Sequence, residues 1–153
     1  MELGARVPDF TLPNQYGEQT SLSTLLATGP VVLFFYPAAM TKGCTMESCH
    51  FRDLAQEFTD LGAHRVGISM DSVDKQRRFS DTYDFDYPLL ADPDGTVAKI
   101  FGVKRAVSLL KVKRSTFIID AKSTIIGAFT SELKMDAHAD EALATLRAHG
   151  YGT

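Results

Sequence analysis

The sequence predicts an α/β domain, a mixed β-sheet with helices on both faces. Three observations predict it. Val31-Val32-Leu33-Phe34-Phe35-Tyr36 is a short run of β-branched and aromatic residues, apolar on both faces, as a central buried strand is. Phe51, Leu54, Ala55 and Phe58 then recur at helical spacing. Further on, Thr116–Ile119 and Thr124–Phe129 flank a polar turn at Asp120–Ser123, the mark of a hairpin. Strand and helix alternation followed by a hairpin and a last helix gives a sheet that mixes parallel and antiparallel pairs.

The elements follow in order. Residues 7–25 contain Pro8, Pro13, Asn14 and Gly17, turn formers that predict short strands and turns. The buried strand of 31–36 ends at Pro37, and the helix through Phe58 comes next. Arg65–Ser69 reads as a second buried strand, and Asp71 or Ser72 can cap a helix running through Phe79 toward Tyr83. Tyr87–Ala91 is a short extended piece, Asp92–Gly95 a turn, and Val97–Phe101 a short helix stopped at Gly102. After the hairpin, Met135, Ala139, Ala142, Leu143 and Leu146 predict a closing amphipathic helix. The segment 104–113 holds Ala106, Val107, Leu109 and Leu110 between basic residues, and reads as a flap, a contact surface or a loop tucked under the domain.

Composition narrows the function. With 153 residues, 44% of them hydrophobic, the chain is expected to form one domain over 1–153 with a sizeable core. A net charge of -3 argues against nucleic-acid binding. No apolar run approaches the about 20 residues of a membrane span, and the N-terminus has no signal-peptide pattern. A cytoplasmic protein is the expectation. The two cysteines rule out a disulfide scaffold. His50, His64, His138 and His149 are scattered, so no metal or other cofactor is expected, and His50 is read as a surface residue.

Cys44 and Cys49 lie where the chain leaves the buried strand for the helix. Five helical residues rise about 7.5 Å, so the two Cα atoms would stand roughly 8–9 Å apart. Disulfides seldom tolerate more than about 7 Å, so a bond between them requires the helix to unwind locally. On a helical wheel Cys44 shares a stripe with Phe51 and Ala55, while Cys49 falls with the polar Arg52, Asp53 and Gln56. Cys44 also sits in the first helical turn, where free backbone N–H groups favour a thiolate. Glu47, three residues on, is expected to oppose it, or to be no more than a helix-end charge.

The loop Tyr36-Pro37-Ala38-Ala39-Met40-Thr41-Lys42-Gly43-Cys44-Thr45-Met46-Glu47-Ser48-Cys49 resembles the active-site loop of peroxiredoxins. Pro37, Thr41 and Cys44 match the family's Pro-x-x-x-Thr-x-x-Cys pattern, and Gly-Cys-Thr-x-Glu-x-Cys with Phe51-Arg52-Asp53 is similar to the bacterioferritin-comigratory-protein, or peroxiredoxin Q, branch. The opening Pro8-Asp9-Phe10-Thr11-Leu12-Pro13, the run Tyr87–Asp92 and Arg114–Asp120 also resemble family segments. The resemblance implies a thioredoxin-like fold with an N-terminal extension.

It implies also a thiol peroxidase for hydrogen peroxide and organic hydroperoxides. Cys44 would be the nucleophile, assisted by Arg114, Thr41 and Pro37. Cys49 would resolve the sulfenic acid as an intramolecular disulfide, and thioredoxin or a similar dithiol would reduce it. The protein would be a monomer or weak homodimer. Two departures stand out: Lys42 replaces a proline common in relatives, and Ala38-Ala39-Met40 is more apolar than the usual charged loop, which would widen tolerance toward organic hydroperoxides. Two other readings are a peroxide sensor relaying its disulfide to a client and a thioredoxin-like copper-binding module.

Overall fold

The computed structural model describes residues 1–105 and 111–152. The apolar stretch 106–110 read above as a flap or contact surface lies outside the described residues. Its flanks are joined by a bridge between Lys104 and Val112 and by a bond from Arg105 N to the Lys111 carbonyl (2.9 Å).

A five-stranded mixed sheet organises the fold. In chain order the strands are β1 (Thr11–Pro13), β2 (Gln19–Ser21), β3 (Val31–Phe35), β4 (His64–Ser69), β5 (Leu89–Ala91), β6 (Ser115–Ile119) and β7 (Ile125–Thr130). The main sheet runs β5-β4-β3-β6-β7, and β1 and β2 form a separate antiparallel pair. β3 is central: it pairs in parallel with β4 and antiparallel with β6. Every residue of β3 is buried, as its two-faced apolar pattern requires.

The helices are α1 (Leu22–Leu26), α2 (Lys42–Asp53), α3 (Ala55–Asp60), α4 (Val73–Tyr83), α5 (Thr96–Ile100) and α6 (Ala137–Ala148). Alternate residues of β3 feed two apolar clusters. Val31, Leu33 and Phe35 pack with Phe10, Leu22, Leu26, Val97 and Phe101, so the N-terminal segment, α1 and α5 cover one face. Val32, Phe34 and Tyr36 pack with Cys44, Phe51, Phe58, Phe79 and Leu146, so α2, α3, α4 and α6 cover the other. Gly127 permits the closest approach of α6, because a Cβ there would stand 2.7 Å from Thr145 Cγ2. No helix among the described residues is long and apolar enough to cross a membrane.

The differences from the sequence reading are local. Residues 22–26 form α1, capped by Ser21, whose hydroxyl accepts from Thr24 N, where strands and turns were expected. The expected long helix is two, broken at Leu54 (φ -94°, ψ 21°). At the break the Phe51 carbonyl accepts from the Arg65 guanidinium (2.9 Å). Ser72 caps α4 and leaves Asp71 free for another task. Met135 precedes α6 and packs instead against Gly43.

Candidate active site

The site lies where β3 hands over to α2. Pro37 has no N–H to donate, so the strand ladder stops there. The loop that follows is pinned from β4: Ala39 N and the Ser69 hydroxyl each donate to Asp71 Oδ2, both at 2.7 Å. Asp71 also pairs with Lys75 (3.3 Å). Met40 then takes a left-handed conformation (φ 69°), which turns the chain into α2. Thr41 is the N-cap residue by position, but its hydroxyl donates back to the Ala38 carbonyl (2.7 Å) and makes no cap bond.

Cys44 is fully buried in the first turn of α2. Arg114, immediately before β6 and 5% exposed, reaches across to it. One guanidinium nitrogen lies 3.4 Å from Cys44 Sγ, and the other donates to Glu47 Oε1 at 2.8 Å. Arg114 Nε is buried with no partner among the described residues. The backbone N–H of Arg114 donates to Glu132 Oε1 (3.0 Å), fixing where the side chain starts. Gly43 makes room, since a Cβ there would stand 3.2 Å from the guanidinium.

Glu47 is not the surface charge its position suggested. It is fully buried, because positions 44, 47, 48 and 51 form one helical stripe facing the core. Burial pushes its carboxyl up to about 8, although Arg114 pulls the other way. That upward push favours the protonated carboxyl, which lessens the expected opposition to a Cys44 thiolate. The proton belongs on Oε2, because Oε1 accepts from Arg114. Oε2 lies 3.5 Å from His138 Nδ1.

Sequence reasoning also missed His138, which is fully buried. Its Nε2 faces the Ser131 carbonyl (2.9 Å) and must donate to it. Burial lowers its affinity for a second proton, so Nδ1 accepts, with the Thr116 hydroxyl at 2.8 Å. The signal was available: residue 138 lies one turn before Ala142 on the apolar stripe of α6. Tyr36 and Gln76 complete the floor, the Tyr36 hydroxyl donating to Gln76 Oε1 and Gln76 Nε2 to the Leu90 carbonyl (2.8 Å).

Cys49 stands apart from this cluster. Both cysteines are free thiols, and α2 is continuous between them. Cys49 is half-buried and packs against the same apolar cluster as Cys44, where a wetter, polar position was expected. Leu54 and Tyr83 pack against the same cluster, and Arg52 on this side of the helix donates to the Tyr83 carbonyl (2.7 Å). Burial pushes the Cys49 thiol up, against the opposing pull of Arg52, which keeps it protonated. His50 is partly exposed at the surface, as expected, with its Nε2 2.9 Å from Asp140 Oδ1. No three His, Cys, Asp or Glu side chains among the described residues converge on a metal-sized site.

Comparison with known proteins now places the chain. Residues 3–128 match the model of the AhpC/TSA family. The chain belongs to that family. A putative peroxiredoxin of Mycobacterium tuberculosis is 59% identical over 150 residues, 97% of each chain. The crystal structure of peroxidoxin BcpB from the same organism superposes with a TM-score of 0.93 over 97% of each chain, at 59% identity. A bacterioferritin comigratory protein of Xanthomonas campestris, described for its alkyl peroxide reduction activity, matches at a TM-score of 0.83 and 34% identity over 92% of this chain and 91% of its own. The chain is thus a peroxiredoxin of the bacterioferritin-comigratory-protein type with a thioredoxin-like fold, and its class of activity is thiol peroxidase.

Proposed function

We propose that Cys44 is the peroxide-reacting thiol and Cys49 its resolving partner. The observation that supports this best is the single guanidinium of Arg114 touching both Cys44 Sγ and Glu47. Attack on a peroxide needs a thiolate, and the departing oxygen gains negative charge. A permanently charged guanidinium favours both. Burial pushes the Glu47 carboxyl toward its protonated form, which reduces its competition for that charge. Arg114 Nε, a buried donor without a partner among the described residues, is available to a peroxide oxygen. Pro37 and Thr41 shape the loop over the sulfur, Pro37 by ending the strand and Thr41 by closing the turn onto Ala38.

The thiolate takes the distal oxygen of the hydroperoxide, giving Cys44 sulfenic acid and releasing alkoxide, which leaves as alcohol or water. The Cys49 thiol then displaces water from the sulfenic acid to form the disulfide, after α2 unwinds. An external dithiol, thioredoxin in our reading, reduces it by exchange. We place the protein in the cytoplasm, where such dithiols are maintained, as a single-domain monomer or weak homodimer. Organic hydroperoxides fit the exposed apolar side chains nearby: Met40 and Met46 are 44% and 51% exposed, and an open groove of about 440 Å³ beside α2 is lined by Met46, Leu133, Met135 and Ala137 together with Lys134, Asp136 and Asp140.

One experiment tests the scheme. Reduced protein treated with one equivalent of peroxide should lose two hydrogens, mapped by peptide mass spectrometry to a Cys44–Cys49 link. Cys49→Ser should stop at oxidised Cys44. Cys44→Ser should abolish turnover, and rapid turnover in that variant would sink the assignment.

A further inference from the structure

The stretch of α2 that must unwind carries two buried polar atoms whose hydrogen bonds are unmet among the described residues. Between the cysteines, Glu47 Oε2 and Ser48 Oγ are buried with no hydrogen-bond partner among the described residues. Such groups favour any opening that lets water reach them. Against this, the Tyr87 hydroxyl donates to the Ser48 carbonyl at 2.6 Å, next to Cys49. Tyr87 precedes β5, is 5% exposed, and lies edge-on to Phe34 (5.7 Å) under the Arg65 guanidinium (5.0 Å). Its ring is therefore fixed by the sheet and does not travel with the helix. Arg65 holds the Phe51 carbonyl in the same way, beyond Cys49.

We propose that Tyr87 is a positioning residue, a latch whose single hydrogen bond to the Ser48 carbonyl sets how readily the Cys44–Cys49 segment unwinds. It thereby divides oxidised Cys44 between two fates. In one, Cys44–SOH and Cys49–SH give the disulfide and water. In the other, Cys44–SOH and a second hydroperoxide give sulfinic acid and an alcohol or water. The first requires Ser48 to leave its helical position and the second does not. This inference rests on the reading of Cys49 as the resolving thiol.

Tyr87→Phe deletes the latch and keeps the ring packing. Wild type and variant are mixed with one equivalent of hydrogen peroxide, quenched at intervals and read by mass spectrometry. Oxidation of Cys44 should proceed within twofold of wild type. Disulfide formation should be about two- to tenfold faster, the effect of one buried hydrogen bond on an opening equilibrium. At excess peroxide, sulfinic acid should fall in proportion, and amide exchange should quicken in 45–53 but not in α6. Thr28→Val is the control for a plain loss of stability: it removes a bond to His64 Nε2 (2.6 Å) at the opposite end of β4 and should leave the disulfide rate unchanged. An unchanged or slower disulfide rate in Tyr87→Phe overturns the latch. Absence of any Cys44–Cys49 disulfide in wild type refutes instead the role of Cys49, and the latch falls with it.

Discussion

Replacing Arg114 with lysine keeps the charge and removes the fork. In the native site two guanidinium nitrogens serve two partners, Glu47 Oε1 at 2.8 Å and Cys44 Sγ at 3.4 Å. A lysine has three donors, but they radiate from one atom and cannot reproduce the planar fork that meets both partners with good geometry. The variant therefore forfeits one charge-assisted hydrogen bond in a site only 5% exposed, about 1.5–3 kcal/mol. If the bond lost is the one to sulfur, the barrier to peroxide attack rises by that amount, and the rate constant drops about 10- to 150-fold at 1.36 kcal/mol per decade. Competition for limiting peroxide against a reference haem peroxidase measures this constant without involving the reductant. Unfolding by urea should shift by a few kcal/mol at most, so a folded but slow enzyme is expected. A lysine variant within threefold of wild type would refute the view that geometry, beyond charge, is what Arg114 contributes.

Glu47→Gln should react within about threefold of wild type below pH 8, because the amide imitates the protonated carboxyl that burial favours. Above pH 8 the wild type should slow as Glu47 ionises and draws Arg114 from the sulfur, while the Gln variant holds its rate; parallel profiles would count against this. Stability gives the sign independently. A carboxyl raised to about 8 binds more protons folded than unfolded, so its contribution is full below its unfolded value of 4.5 and is lost as pH rises through 8. Urea unfolding at pH 5, 7 and 9 should show stability falling by up to about 1.4 kcal/mol per pH unit in that window, and a shallower fall in Glu47→Gln. Phe51→Ala should cost about 3–5 kcal/mol, since Phe51 is fully buried and stacked on Phe34 at 4.1 Å; a cost under 1 kcal/mol in equilibrium unfolding would mean the stack does not anchor α2. Met40→Lys should lower the rate with cumene hydroperoxide more than with hydrogen peroxide, and equal losses would remove Met40 from substrate selection.

How much of this was legible in the sequence depended on how local the signal was. β3 announced itself because a run apolar on both faces has few other uses, and the β6–β7 hairpin because its turn residues sit between two β-rich segments. α1 was hidden: five residues after a serine cap carry too little periodicity to separate from a turn. The break at Leu54 was hidden for another reason, since it depends on Arg65, a residue of β4, reaching the Phe51 carbonyl. At the site, Cys44 and Arg114 were named through their motif, yet the 70-residue separation closed by the guanidinium is a tertiary fact. Glu47 was misjudged by treating a helix-end position as exposed, although its spacing from Cys44 and Phe51 put it on the inward stripe. His138 was passed over because the histidines were read for metal spacing and not for helical face. Ala39 shows the same limit: the apolar loop is partly internal, with Ala39 2% exposed and bonded to Asp71, so only Ala38 and Met40 remain to meet a substrate.

The placement of the tyrosines gives the protein an optical signature. The chain has no tryptophan, so its five tyrosines dominate near-ultraviolet absorption and emission. Two of them, Tyr36 and Tyr87, are buried with bonded hydroxyls, and burial holds both phenols well above the usual range. Both lie against α2 or the loop that feeds it. Near-ultraviolet circular dichroism and tyrosine emission will therefore report on the surroundings of the reactive helix without any attached label, and a redox cycle that moves α2 will be visible in the protein's own spectrum.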